Sequence, residues 1–505
     1  MTDHRKNSRN PGFSDRSSKW MRLLGIAALA VICATPQAFA QFATVGRGPS
    51  IGPSVGPNIN AGPRISINPH VRYSPNLDYQ DIHRPRRRPR PYVQEFDGPP
   101  DYNGPPKTVR KDPPRRRRAN TPTVADNSYV AKEVVIELEG NPNETAVNNI
   151  ARRHRLTRVE SQNIPTLGST FFRWRISDKR TVDQVVRELV ADGGVRSAQR
   201  NNIFRLQQAS SAEPAKSADG PEGYASGKLR LPAAHALSAG ADVRIAVIDS
   251  GVDANHPELA GSIVETFDAL ASKEGAHAHG TTIASIIAGH GRLTGTAPSA
   301  RLLAIRAFGE KKSGAESSTF VILKSLDYAV SHQAQVINMS FAGPHDPILE
   351  RGLAAAAAKK IVLIAAAGNA GPKSPPLYPG ADRNVIAVTA TDSSDRLFSG
   401  ANQGAYVALA APGVDILAAV PDSKYRISSG TSLSAAFVSG LAALMIARNP
   451  ELSPGDLRLA LESSARDLGP KGRDTQFGAG EVDAYAAVSA VAAPVATASG
   501  RAAGQ

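Results

Sequence analysis

The sequence predicts an α/β fold, a doubly wound and mostly parallel sheet, with a smaller α+β domain ahead of it. Three observations predict this. Short apolar runs recur between about 224 and 490, and they are continuous rather than alternating, as in strands buried on both faces. Helical patterns lie between them, the order that gives a parallel sheet with helices on both sides. Residues 128–207 mix strand-like and amphipathic stretches on a smaller scale.

In the smaller domain, VVIEL (134–138) alternates like a strand and ETAVNNIARRHRL (144–156) has apolar residues at helical spacing. STFFRWRIS (169–177) is again strand-like. TVDQVVRELVADGG (181–194) predicts a second helix stopped by Gly193-Gly194, and RSAQRNNIFRL (196–206) a last strand. The stretch QQASSAEPAKSADGPEG (207–223) is polar and small, so 208–223 reads as an exposed linker open to proteases.

In the larger domain, 224–490, the expected strands are VRIAVID (243–249), ARLLAIRAF (300–308), VINMSF (336–341), IVLIAAAG (361–368), VIAVTAT (385–391) and YVALAAPG (406–413). FVILKSLDYAVSH (320–332) and ILERGLAAAAAKK (348–360) are expected helices. Ser453-Pro454-Gly455-Asp456 reads as a capping box with proline at the first helical position. Active sites in such folds collect at the C-terminal ends of the strands. Residues 491–505 read as a flexible tail.

The net charge of +14 would suit a nucleic-acid binder, but its location argues otherwise. Residues 1–40 hold six Lys/Arg against two Asp/Glu, and 41–127 hold fifteen against seven. The rest is nearly neutral, so no nucleic-acid partner is expected. Basic residues up to Arg22, the apolar run LLGIAALAVICA (23–34) and Ala38-Phe39-Ala40 predict an export signal over 1–40, with Gln41 as the mature start. The run falls short of the about 20 apolar residues that span a bilayer. Cys33, the only cysteine, lies inside it, and Ile32 before it fits a lipoprotein site poorly. The exported protein is thus expected to carry no disulfide, and to be periplasmic or extracellular. Residues 41–127, with RPRRRPRP (84–91) and PPRRRR (113–118), predict a disordered, self-repelling linker. It is either a solvated spacer or a contact to an anionic cell surface.

Four short motifs bear chemistry. VRIAVID ends at Asp249. HAHGTTIASIIAG (277–289) puts His279 at the start of an apolar helix. IVLIAAAGNAG ends a strand at Gly368-Asn369, and SSGTSLSAAF (428–437) sets Ser432 ahead of an apolar run. Each alone has a structural reading: a turn aspartate, a helix start, an asparagine in a left-handed turn, hydroxyls capping a helix. Together, in this order, they make the chain resemble the subtilisin-like serine proteases over about 225–490. GTAPSA (295–300), VINMSFAG (336–343) and FGAGEVDAYAAV (477–488) extend the resemblance.

The resemblance implies a subtilisin-like fold and an exported serine endopeptidase. Ser432 would be the nucleophile, His279 its base and then acid, and Asp249 the group that orients the imidazole. The Asn369 side chain and the Ser432 backbone N–H would hold the oxyanion. Ser340, Phe341 and Ala342 would line one wall of the cleft, and Ala366, Ala367 and Gly368 the other side of its main pocket. The peptide would pair with backbone at both walls as an added strand. These segments contain no acid, so a neutral, apolar side chain is expected beside the scissile bond. Ser428 and Ser429 are left as capping or structural groups.

The chain departs from the family at Thr282, where a second histidine is common, at Ala436-Phe437 in place of Pro-His, and at Ser340-Phe341-Ala342 in place of Ser-Leu-Gly. None of these is a reacting group; they alter the cleft. HGRLTGTA, between Gly289 and Pro298, is short and has no carboxylate where many relatives bind calcium. No metal is expected there and no cofactor for catalysis; weak structural calcium elsewhere stays open.

The β-α-β-β-α-β, ferredoxin-like pattern of 128–207 and its position resemble the family's inhibitor-like prodomain. The alternative is an unrelated structural module. A prodomain would be cut off within 207–223, where Gln208-Ala209-Ser210-Ser211-Ala212 is suited to enter the cleft. The expected partners are protein or peptide substrates and the chain's own prodomain, and a monomer is expected. The alternative function is a catalytically inactive relative that binds peptides or cell-envelope material. A Gly-x-Ser-x-Gly esterase is disfavoured by Ser434 and by a histidine that precedes the serine. Relatives with glutamate in place of histidine are excluded by His279. The physiological substrate is not legible.

Overall fold

A computed structural model describes residues 128–207, 224–311 and 314–492. The expected export signal, the Pro/Arg-rich linker, the 208–223 linker and nearly all of the tail lie outside these residues.

The smaller domain runs β1 (Tyr129–Glu139), α1 (Glu144–His154), β2 (Leu156–Ile164), β3 (Ser169–Ile176), α2 (Val182–Val190) and β4 (Ser197–Leu206). Asn143 caps α1, and Thr181 with Gln184 closes a capping box on α2. The strands pair in the order β2-β3-β1-β4, all antiparallel. Val134, Ile136 and Trp174 on one face pack against Val147 of α1 and Val185 and Leu189 of α2. Strand β2 had no run of its own in the sequence reading. Only Leu156 and Ile164, its two ends, are buried, so it shows no alternation.

The larger domain opens with two short helices, α3 (Tyr224–Lys228) and α4 (Leu231–His235). Then follow β5 (Arg244–Asp249), β6 (Ile263–Asp268), α5 (Ala278–Ala288), β7 (Arg301–Arg306), β8 (Gly309–Lys311), β9 (Gly314–Ser318), α6 (Thr319–Ser331), β10 (Val336–Met339), β11 (Phe341–Ala342) and α7 (Pro347–Ala358). The chain continues through β12 (Val362–Ala366), β13 (Val385–Thr391), β14 (Val407–Pro412), β15 (Ile416–Val420), β16 (Lys424–Ser428), α8 (Thr431–Arg448), α9 (Pro454–Ser464) and α10 (Ala484–Ala490). The central sheet has the order β14-β13-β12-β10-β5-β7-β6, and every pair in it is parallel. Its strands other than the edge strand β6 are buried on both faces, which explains their continuous apolar runs.

Helix α8 is apolar all round because it runs through the core against the sheet. It is the one described helix long and apolar enough to cross a membrane, and 89% of that stretch is buried within the protein.

Three local expectations are corrected. VINMSF is not one strand: β10 ends at Met339, and β11 leaves the central sheet to pair with β4 of the smaller domain. Ser453 does cap α9, accepting from the Asp456 N–H, but the Asp456 carboxylate returns to the Ser453 hydroxyl and not to backbone, so the box is half formed. Neither Ser428 nor Ser429 caps α8. Its N-cap is Gly430, Ser428 ends β16, and the Ser429 hydroxyl accepts from the Asp415 N–H.

Candidate active site

Asp249 ends β5, and α5 begins beside it. A Cβ on Gly280 would stand 2.6 Å from the Ser250 carbonyl oxygen, so this approach of helix to strand end requires glycine. His279, one residue earlier, thereby sets its Nδ1 at 2.8 and 2.9 Å from the two carboxylate oxygens of the fully buried Asp249. Asp249 also accepts the Ser250 N–H at 2.7 Å. A carboxylate only accepts at neutral pH, so Nδ1 carries the proton and Nε2 the lone pair. Nε2 is buried with no hydrogen-bond partner. His279 and Ser432 line one cavity of about 120 Å³, together with Thr282, Arg426, Leu433 and Gln207.

Gln207, the residue after β4, reaches this site. Its carbonyl oxygen accepts from Asn369 Nδ2 at 3.0 Å and from Ser432 Oγ at 3.2 Å. The expected pair of donors was Asn369 and the Ser432 backbone N–H. Among the described residues it is the Ser432 hydroxyl, not bonded to His279, that supplies the second bond. Thr431 orients the amide: its N–H and its hydroxyl donate to Asn369 Oδ1 at 3.1 and 2.7 Å, which leaves Nδ2 facing the peptide. The Ser340 hydroxyl donates to the Ser432 carbonyl at 3.1 Å and ties the cleft wall to the start of α8.

The end of β4 lies between two strands of the larger domain. On one side Leu206 pairs with Phe341 and Arg205 with Ala342, and the Gln207 N–H reaches the Ser340 carbonyl at 3.4 Å. Ser340, Phe341 and Ala342 thus stand along the end of β4. The other strand is not at Ala366–Gly368. It is β9, with Ile203 opposite Ser318, Phe204 opposite Ser317 and Arg205 opposite Glu316. Ala366 ends β12, the Ala367 carbonyl accepts from the Tyr406 hydroxyl, and the Gly368 N–H donates to Thr431, so the three support Asn369 from behind. Strand β9 escaped the sequence reading because GAESS has no apolar pattern. The residue seated beside Ser432 is polar rather than apolar: Gln207 Oε1 accepts the Asn369 N–H at 2.7 Å. The Phe204 ring is buried edge-on to Phe341, in a space that a Cβ on Gly343 would enter at 2.4 Å.

Around the cleft the two domains meet through Val135, Phe171, Phe320, Leu323 and Ile348. Asp346, at the N-terminus of α7, accepts from Gln199 at 2.7 Å and from Asn202 at 2.9 Å. The buried Glu137 carboxylate accepts from Arg351. Burial alone would raise the Glu137 pKa, but hydrogen bonds from Arg351, Ser197 and Ser169 outweigh it and hold the carboxyl below its ordinary range.

The Gly289–Pro298 loop is filled by a side chain. The fully buried Glu258 accepts from the backbone N–H groups of Gly291, Arg292 and Leu293 at 3.0, 2.8 and 3.0 Å, and from the Tyr425 hydroxyl at 2.7 Å. Burial, and next its bond to Glu258, push the Tyr425 phenol up to about 12. This part of the loop turns N–H donors inward, the wrong polarity for a cation. Its backbone does not fit calcium there.

The model of the subtilase family matches residues 240–480. Thermitase of Thermoactinomyces vulgaris is 34% identical over 273 residues, which is 52% of this chain and 95% of thermitase. The chain belongs to the subtilase family. Like the family's other members, this subtilase is a serine endopeptidase. A thermophilic serine proteinase of Bacillus sp. (strain AK1) is 37% identical to it over 48% of the chain and 61% of that protein. Subtilisin E of Bacillus subtilis is 34% identical over 52% of this chain and 70% of its own. In fold, the subtilase is similar to fervidolysin from Fervidobacterium pennivorans, with a TM-score of 0.62 at 23% identity over 73% of this chain and 62% of that one.

Proposed function

We propose that this subtilase is an exported zymogen that cuts itself between Gln207 and Gln208 and then hydrolyses other proteins. Asp249, His279 and Ser432 act as its triad. The observation that carries this reading is the Gln207 carbonyl, held by Asn369 Nδ2 and Ser432 Oγ. Residues 128–207 serve as the prodomain, and 224–490 as the protease domain.

In this mechanism Ser432 Oγ turns from the Gln207 oxygen toward His279 Nε2, gives up its proton and attacks the Gln207 carbonyl carbon. Negative charge grows on the oxygen that Asn369 already faces, near the N-terminus of α8. His279, its charge balanced by Asp249, passes the proton to the nitrogen of Gln208, and that amine leaves. Water, deprotonated by His279, then attacks the same carbon; the carbon's bond to Ser432 Oγ breaks, His279 returns the proton to Oγ, and the acid of Gln207 is released. Cleavage within one chain benefits from a high effective concentration. The new carboxyl end stays between β9 and β11 and blocks the cleft until the prodomain is degraded. Folding needs no metal in the Gly289–Pro298 loop, where Glu258 supplies the order. Export is supported by the 1–40 pattern and by a relative named as a minor extracellular protease.

The test is to express 41–505 with Ser432 intact or as Ser432→Ala, follow intact masses, and treat both with a labelled phosphonate. The expected result is a new N-terminus at Gln208 and a label on Ser432, both absent from the variant. A folded chain that stays uncut and unlabelled would instead support the inactive peptide-binding relative.

A further inference from the structure

Arg205 stands between Phe204 and Leu206, whose side chains are buried. Strand alternation therefore sends Arg205 to the opposite face. There its Nε donates to Glu316 Oε1 at 3.0 Å, and its Nη2 lies 2.8 Å from the same oxygen. The two residues are directly opposite each other in the antiparallel pair of β4 and β9. The Glu316 side chain is 15% exposed and that of Arg205 39%.

We infer that Glu316 makes this subtilase select substrates with a cationic side chain at the third residue before the scissile bond. The inference rests on the proposed function, in which the end of β4 occupies the place of a substrate. Gln207 is then the residue at the cut, and Arg205 the third from it. Backbone pairing with β9 and β11 accepts any sequence. A side chain fixed on the wall does not. Glu316 belongs to β9, so it stays in the cleft when the smaller domain leaves. With a strand seated opposite it, as Arg205 is here, Glu316 is largely screened from water, and its carboxylate attracts a cation at that position and repels an acid. The other charged groups lining this part of the cleft are Glu133, Arg173 and Lys311. The first two depart with the smaller domain. Lys311 remains and moderates the selection without reversing it, because the directly opposed position belongs to Glu316. Arginine suits the site better than lysine, since two of its N–H groups converge on one oxygen.

The test uses the full chain after self-processing and degradation of the cut smaller domain, with fluorogenic peptides Phe-X-Leu-Gln, X being Arg, Ala or Glu, compared by kcat/KM. The ratio of Arg to Glu is expected to be about tenfold in the unaltered enzyme and to shrink toward about threefold at 1 M salt. Glu316→Arg should bring the ratio below one. In the full chain, Arg205→Glu should slow self-cleavage, and adding Glu316→Arg should restore it. Equal cleavage of all three peptides, or no rescue by the second substitution, overturns the inference and leaves the protease reading intact. Failure of the unaltered chain to cleave any peptide or to take up phosphonate overturns both.

Discussion

The Gln207 carbonyl oxygen lies 3.0 Å from Nδ2 of Asn369, across 162 residues of sequence. The same Asn369 gives its backbone N–H to the Gln207 side chain at 2.7 Å. One residue thus holds both the carbonyl and the side chain of Gln207. The smaller domain ends in a strand whose last residue bonds to Asn369 and Ser432.

Ser432→Ala is expected to lower turnover by about 10⁶, the scale of losing a triad nucleophile. The variant should still fold, since the small Ala side chain fits the site and α8 is held by apolar packing. The rate of cleavage after Gln207 in the full chain, followed by intact mass with circular dichroism as the folding control, checks it.

Asn369→Ala should cost about 10²–10³ in kcat with little change in KM, because its amide acts on charge that appears in the transition state. Thr431→Val should reproduce part of that loss by removing the hydroxyl that orients the amide at 2.7 Å. Steady-state kinetics on both variants separate the two effects. A loss at Asn369 as complete as at Ser432 would contradict its role as an oxyanion donor.

The Glu137–Arg351 pair predicts the pH range in which the cut prodomain stays bound. Against the effect of burial, Arg351 of the larger domain lowers the carboxyl beyond what Ser197 and Ser169 do within the smaller domain itself, so Glu137 carries fewer protons in the complex than apart from it. Its contribution is therefore complete above the 4.5 of a free glutamate, and lost as pH falls through the lowered bound value. Size-exclusion chromatography of the processed protein from pH 7 to 3 should show the complex constant down to about pH 5, then dissociating. Arg351→Ala leaves Glu137 buried without its cation. It should weaken the complex by about 2 kcal/mol at neutral pH, a modest figure because Arg351 is 40% exposed.

Glu258→Ala removes the shared acceptor of three loop N–H groups at once, those of Gly291, Arg292 and Leu293. A loss of about 3 kcal/mol is expected, and a melting temperature about 6–12 °C lower in a domain of this size. Glu258→Gln keeps an acceptor and should lose less. Calorimetry in the Ser432→Ala background avoids self-digestion. The same scans with and without chelator should coincide if the loop takes no calcium.

Much of the fold was legible in the sequence, and four candidate site positions were singled out by the resemblance of their motifs to a known family. Asp249, His279, Asn369 and Ser432 each sit where a continuous apolar run meets a loop or a glycine, and such boundaries are local features. The strands of the central sheet and helices α6 and α7 were legible for the same reason: burial on both faces, or on one helical stripe, leaves a period in the chain. Tertiary structure decided what has no period. Strand β2 is buried only at its ends, and β9 is the polar GAESS, so neither announces itself. The break at Ser340 depends on β4 arriving to pair with Phe341. That Gln207 reaches Asn369 and Ser432, that Glu316 faces Arg205, and that Glu258 fills a loop more than thirty residues away all depend on the register between distant segments. Register is set by the packing of whole domains. A stretch of sequence encodes its own pattern of burial, but not the partner that buries it.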